Sequence, residues 1–190
     1  MNKAIFSSKT KDKVIKLLYG APNKQYHMRQ IERLVAERIN SVREALLSLV
    51  KEGFLKQEKV GRKILFQINP DNLYYDEIIR MVGKQNGLGQ RIIKEKQRLG
   101  KIKVAFLTSN FYLNSNHKED EIDLFVVGTI SMAELAKICA EEGKKLGWEI
   151  NYSVMTLEEL GFRQKNKDPF LNKILQKNRL ILIGKEEYLF

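Results

Sequence analysis

Apolar residues recur at helical spacing in the first third of the chain and in strand-like runs in the last half. Ser8-Lys9-Thr10 starts a predicted helix that runs to residue 18, with Val14, Leu17 and Leu18 on one face; Gly20 and Pro22 end it. A second helix is expected over 27–36, with Met28, Ile31, Leu34 and Val35 inward. A third covers 39–52, where Val42, Ala45, Leu46 and Leu49 keep an i, i+3, i+4, i+7 spacing and Gly53 suits the position after the helix end. Residues 54–58 and 63–68 read as two strands joined by the turn Val60-Gly61-Arg62, and Pro70 closes the unit.

The second half changes period. NLYYDEIIRMVGK (72–84) is amphipathic through Leu73, Ile78, Met81 and Val82, and a further helix over 88–99 carries Leu88, Ile92, Ile93 and Leu99. Between them GKQNGLG (83–89) is the clearest breaker cluster and the expected hinge. Strands are expected at 103–109, 121–128, 149–155 and 179–184, with helices at 131–146, 157–164 and 169–176. In 131–146 the apolar face is Leu135, Ile138, Cys139 and Leu146, which makes Cys139 a core residue. In 149–155, Ile150, Tyr152 and Val154 alternate with Glu149, Asn151 and Ser153. The fold class is therefore α+β, in three segments: 1–70, a helical connector 71–100 that is a possible dimerisation element, and 101–190.

Charge narrows the partners. The chain carries 34 Lys/Arg against 23 Asp/Glu, a net +11, which favours a polyanion. The excess is denser in residues 1–82, with 16 cations to 9 acids, than in 83–190, with 18 to 14. One cysteine excludes an intrachain disulfide, and two histidines with one cysteine argue against a zinc site. No apolar run approaches the roughly 18 residues of a membrane span. The opening MNKAIFSSKTKDK lacks a signal-peptide core, so a cytoplasmic location without membrane contact is expected.

Three helices followed by a β-hairpin is the order of a winged helix-turn-helix. MRQIERLVAERINSVREALLSLVKEGFLKQEKVGRKILFQINP (28–70) resembles bacterial and archaeal regulators of the ArsR type, with Val42, Leu46, Gly53 and Gly61 meeting the pattern. The resemblance implies double-stranded DNA as partner and a homodimer paired through helices after the wing. A helix that enters the major groove presents polar side chains from its first turns. Here those are Arg38, Asn40, Ser41, Arg43 and Glu44; Arg43 suits guanine, Asn40 adenine and Ser41 phosphate. Lys59, Arg62 and Lys63 crowd the wing tip, and Arg29 and Gln30 open the second helix within reach of phosphate. The same basic face would also serve a protein contact.

Residues 101–188 resemble the minimal nucleotidyltransferase fold, a small mixed sheet backed by helices. In active members the first strand ends in Gly-Ser, and the next begins Asp-x-Asp. A third carboxylate comes from a neighbouring strand. Two carboxylates at i and i+2 on a strand share a face and can hold Mg²⁺ for in-line attack on a nucleoside triphosphate. This chain has Thr108-Ser109 in place of Gly-Ser and Glu121-Ile122-Asp123 in place of Asp-x-Asp; Glu149 is the possible third carboxylate. The missing glycine removes the close backbone approach to phosphate. No cofactor is therefore expected. The domain is expected to be non-catalytic, acting in sensing a small-molecule effector, in dimerisation or in binding a protein partner. The alternative is a working, antitoxin-like nucleotidyltransferase that uses Ser109, Glu121 and Asp123 with Mg²⁺ and NTP. His117, Lys118, Glu119 and Asp120 read as a charged loop.

Overall fold

Ser8 opens the first helix by accepting the N–H of Lys11, and α1 runs Lys9–Tyr19. The computed structural model describes residues 8–113 and 121–190; His117 and the charged loop around it lie outside them. The protein is α+β, and the chain divides into two compact units, one ending at Val82 and one beginning at Gly83. The segment 71–100 is thus shared between them.

In the first unit a two-residue strand β1 (Tyr26–His27) leads into α2 (Met28–Val35) and α3 (Ile39–Lys51). The strands β2 (Leu55–Val60) and β3 (Lys63–Ile68) form a hairpin around Gly61-Arg62, with β1 on the far side of β3. Gly61 has φ +60, the left-handed backbone that such a tight turn requires. Val14, Ile15, Leu18, Ile31, Val35, Val42, Ala45, Leu46 and Leu49 are buried. Leu34, expected inward, is 58% exposed. On a helix of 100° per residue, Ile31 and Val35 centre the buried stripe, and Leu34 falls about 80° away from it. β1 was not legible as a strand, because two residues carry no alternation.

Helix α4 (Tyr75–Gln85) runs through Gly83, and the boundary between the two units falls at the start of the expected hinge. The chain turns at Asn86, and α5 (Gly87–Lys94) and α6 (Lys96–Leu99) follow. Gly83 and Gly89 also have a packing role. A Cβ at Gly89 would stand 2.1 Å from the carbonyl oxygen of Gly83, so the two backbones touch there.

The second unit is built on a four-stranded mixed sheet in the order β6-β5-β4-β7. Its strands are β4 (Gly100–Thr108), β5 (Leu124–Ile130), β6 (Tyr152–Met155) and β7 (Arg179–Ile183). β5 and β6 are parallel; β4 is antiparallel to both β5 and β7. A one-turn helix α7 (Ser109–Tyr112) follows β4, α8 (Met132–Leu146) follows β5, and α9 (Leu157–Lys165) and α10 (Pro169–Leu175) precede β7. The continuous apolar runs of β4 and β5 are explained by helices on both faces. Ala105, Leu107, Leu124 and Val126 pack with Leu88, Ile92, Leu99, Leu135, Ile138 and Cys139. Val104, Phe106, Phe125 and Val127 pack with Leu160, Leu171, Ile174 and Leu189 on the other face. Phe106 and Phe125 stack at 5.1 Å, a pair worth about 0.5–1.5 kcal/mol beyond its burial.

Three expectations change here. β5 starts at Leu124, so Glu121 and Asp123 precede the strand and do not lie within it. β6 starts at Tyr152, which leaves Glu149 in the approach. Leu146 is exposed because it is the last residue of α8, where Gly147 (φ +85) turns the chain away. Among the described residues, no helix is long and apolar enough to cross a membrane.

Candidate nucleic-acid interface

Burial of Val42, Ala45, Leu46 and Leu49 fixes which face of α3 looks out: Asn40, Arg43, Glu44 and Leu47, again at i, i+3, i+4, i+7, are all exposed. Arg38 occupies the position before the helix without bonding it through its side chain. The first-turn N–H groups of α3 therefore have no side-chain cap, which suits an anion.

The other wall is the hairpin. Ile64 and Phe66 share one face of β3, and their cross-strand partners Lys59 and Gln57 lie on that same side. β1 pairs His27 with Leu65, tying the start of α2 to the hairpin. His27 caps α2: its Nδ1 accepts the Gln30 N–H at 3.3 Å, and the Gln30 side-chain carbonyl accepts the His27 N–H at 3.0 Å. Gln30 is thus engaged in a capping box that holds its side chain at the helix start.

Between α2, α3 and the hairpin lies a cavity of about 480 Å³. Four of the residues expected to contact DNA line it: Arg29, Arg43, Arg62 and Lys63. The others, Gln30, Arg38, Asn40, Ser41, Glu44 and Lys59, do not line it. The sequence reading missed its remaining lining, above all Gln57, Leu47 and Ile64. The available signal was Leu47, an apolar residue standing on the polar stripe of α3.

The charge arrangement is one-sided. Lys9 and Lys13 pair with Glu37, Lys11 with Glu52, Lys16 with Asp12, and Lys56 with Asp71. Arg29, Arg38, Arg43, Lys59, Arg62 and Lys63 have no carboxylate at ion-pair distance among the described residues. The first unit neutralises the cations of α1 and Lys56 of β2, and leaves Lys59, Arg62 and Lys63 toward the hairpin tip and the arginines of the groove open.

The carboxylates of the second unit do not converge. Glu121 sits 3.0 Å from Lys177 Nζ and accepts a bond from the Asn110 amide. Asp123, 2% exposed, accepts the Asn151 N–H at 2.9 Å. Glu149 is exposed and lines a separate cavity beside Trp148. The Ser109 N–H donates to the Asn178 carbonyl, and Thr108 Oγ1 donates to the Ile122 carbonyl. The space bounded by Thr108, Glu121, Phe170, Lys173 and Lys177 is small, about 40 Å³. Among the described residues no three His, Cys, Asp or Glu side chains are grouped to hold a metal ion. Comparison with family models, curated proteins and solved structures finds no match to this chain.

Proposed function

We propose that the protein is a DNA-binding transcriptional regulator whose first unit is a winged helix-turn-helix and whose second unit is a non-catalytic nucleotidyltransferase-like module. One observation carries the DNA reading: Arg29, Arg43, Arg62 and Lys63, all without acidic partners, surround one concave surface between α3 and the hairpin. The exposed stripe of α3 enters the major groove, where Arg43 and Asn40 meet base edges. Arg62, Lys63 and Lys59 at the hairpin hold the adjacent backbone.

The non-catalytic reading of the second unit is supported by its carboxylates. A two-metal site needs them on one side of one cleft; Glu121 is neutralised by Lys177, and Asp123 serves the backbone of Asn151. A homodimer fits the exposed Leu73, Tyr74 and Met81 at α4. α5 and α6 are committed to the core of the second unit through Leu88, Ile92 and Leu99, so pairing falls to the residues before them.

Titration of the full chain with a random double-stranded DNA library tests this. Affinity falls steeply between low and physiological salt, and Arg43→Ala with Arg62→Ala weakens it. Salt-independent affinity, or no effect of the double substitution, refutes the reading.

A further inference from the structure

The groove between α3 and the hairpin is more than a basic surface. Its cations stand at the edge of an apolar floor made of buried Leu46 and Phe66, and Leu47 and Ile64 continue that floor into solvent at about half exposure. Phosphates engage only the cations; they give nothing to the leucine and isoleucine. At about 480 Å³ the cavity falls within the roughly 300–1,000 Å³ typical of small-molecule sites. An apolar body with one anionic head satisfies both halves at once: the chain lies along Leu47, Ile64 and Phe66, and the head meets the guanidinium groups.

We infer that this groove binds an anionic amphiphile, a monocarboxylate with an aliphatic chain, which occupies Arg43 and Arg62 and so competes with DNA. The competition rests on the DNA reading above; the binding site does not. Charge complementarity selects the head, because Arg29, Arg43, Arg62 and Lys63 are open cations and no acid lines the cavity. The floor selects the tail by apolar contact. The ligand reaches the same arginines as DNA, so one site suffices for regulation without any change of shape.

Decanoate below its micelle concentration, titrated into the full chain without DNA, is the test. Binding shifts the methyl resonances of Leu46, Leu47 and Ile64. Decan-1-ol and decyltrimethylammonium bind at least about tenfold more weakly, and Arg43→Ala with Arg62→Ala lowers decanoate affinity by about tenfold or more. Leu47→Glu, at an exposed position, also abolishes binding without threatening the fold. Inorganic phosphate alone leaves the methyl resonances unmoved. Methyl shifts confined to other residues, equal binding of decanol, or decanoate affinity unchanged in both variants overturn the site. A second titration adds decanoate to the preformed DNA complex, and release of DNA is expected. Decanoate that binds the groove without releasing DNA overturns the regulatory half. DNA that fails to bind before any decanoate is added refutes the proposed function instead, and leaves the decanoate titration to decide the site.

Discussion

The carboxylate of Asp123 accepts the backbone N–H of Asn151 at 2.9 Å, while the Asn151 carbonyl accepts the N–H of Asp123 at 2.8 Å. This reciprocal pair joins the approach to β5 to the approach to β6, the two parallel strands of the second sheet. Asp123 is a structural clamp in this position. Asp123→Ala removes a charge-assisted bond at a buried site and is expected to cost about 2–3 kcal/mol in chemical denaturation. Glu121→Ala breaks a partly exposed ion pair and is expected to cost less than about 1 kcal/mol. Equal costs would contradict the different roles given to the two carboxylates.

Glu44 is the one acid on the exposed stripe of α3. Glu44→Ala is expected to strengthen binding to random double-stranded DNA, because the substitution removes a charge repelled by phosphate. Each open cation lost, as in Lys63→Ala, is expected to lower the slope of log affinity against log salt by about 1. Fluorescence anisotropy at a series of salt concentrations measures both.

The contact of Gly89 with the Gly83 carbonyl leaves no room for a methyl group. Gly89→Ala forces the α4 and α5 backbones apart and is expected to destabilise the second unit by about 2 kcal/mol or more. Gly161, on α9, has open space where a Cβ would stand, so Gly161→Ala is expected to be neutral or stabilising by about 0.5–1 kcal/mol. Thermal melts of the two variants should move in opposite directions or, at the least, differ clearly.

Lys13, donating to Glu37 at 2.7 Å, holds that carboxyl below its ordinary 4.5, with the charges of Lys13 and Lys9 adding to the effect against the pull of burial. Lys11, then Ser48, does the same for Glu52. A depressed carboxyl binds protons more weakly when folded, so its contribution is present above 4.5 and is lost as the pH falls through the folded values. Wild-type stability is therefore expected to drop below about pH 4.5. Glu37→Gln with Glu52→Gln should be less stable at neutral pH and show a shallower acid loss. Parallel acid-unfolding curves for the two proteins would contradict this.

Burial pushes the Cys139 thiol up to about 12, and the charge of Asp123 adds to it while Arg91 opposes. The native protein is expected to resist iodoacetamide at pH 8, where the thiolate is scarce, and to react fully once unfolded. Rapid labelling of folded protein would show that α8 opens far more readily than its packing implies.

Much of this architecture was legible because its signals are periodic. The stripe Val42, Ala45, Leu46, Leu49 located α3, and the runs KVAFLTS and EIDLFVVG located the two central strands, though not their ends. What escaped depended on contacts between distant residues. Glu121 and Asp123 look like neighbours on one strand face, but only Lys177 and Asn151, each more than 25 positions away, show that they diverge. The cluster expected as the hinge holds the boundary between the units, but a sequence does not show that its Gly83 and Gly89 let two backbones touch. The four cations that line the groove were named from the winged-helix resemblance together with their charge. Its apolar floor was not, since Ile64 lies in a strand whose face is defined only by pairing with β2.

The two-residue strand β1 has a mechanical consequence. Its ladder bonds join the start of α2 to the centre of the hairpin, with Tyr26 opposite Phe66 and His27 opposite Leu65. The jaw that carries Arg29 and the jaw that carries Arg62 are therefore riveted together at their base. The spacing of α2 from the hairpin is thus set by backbone pairing as well as by side-chain packing.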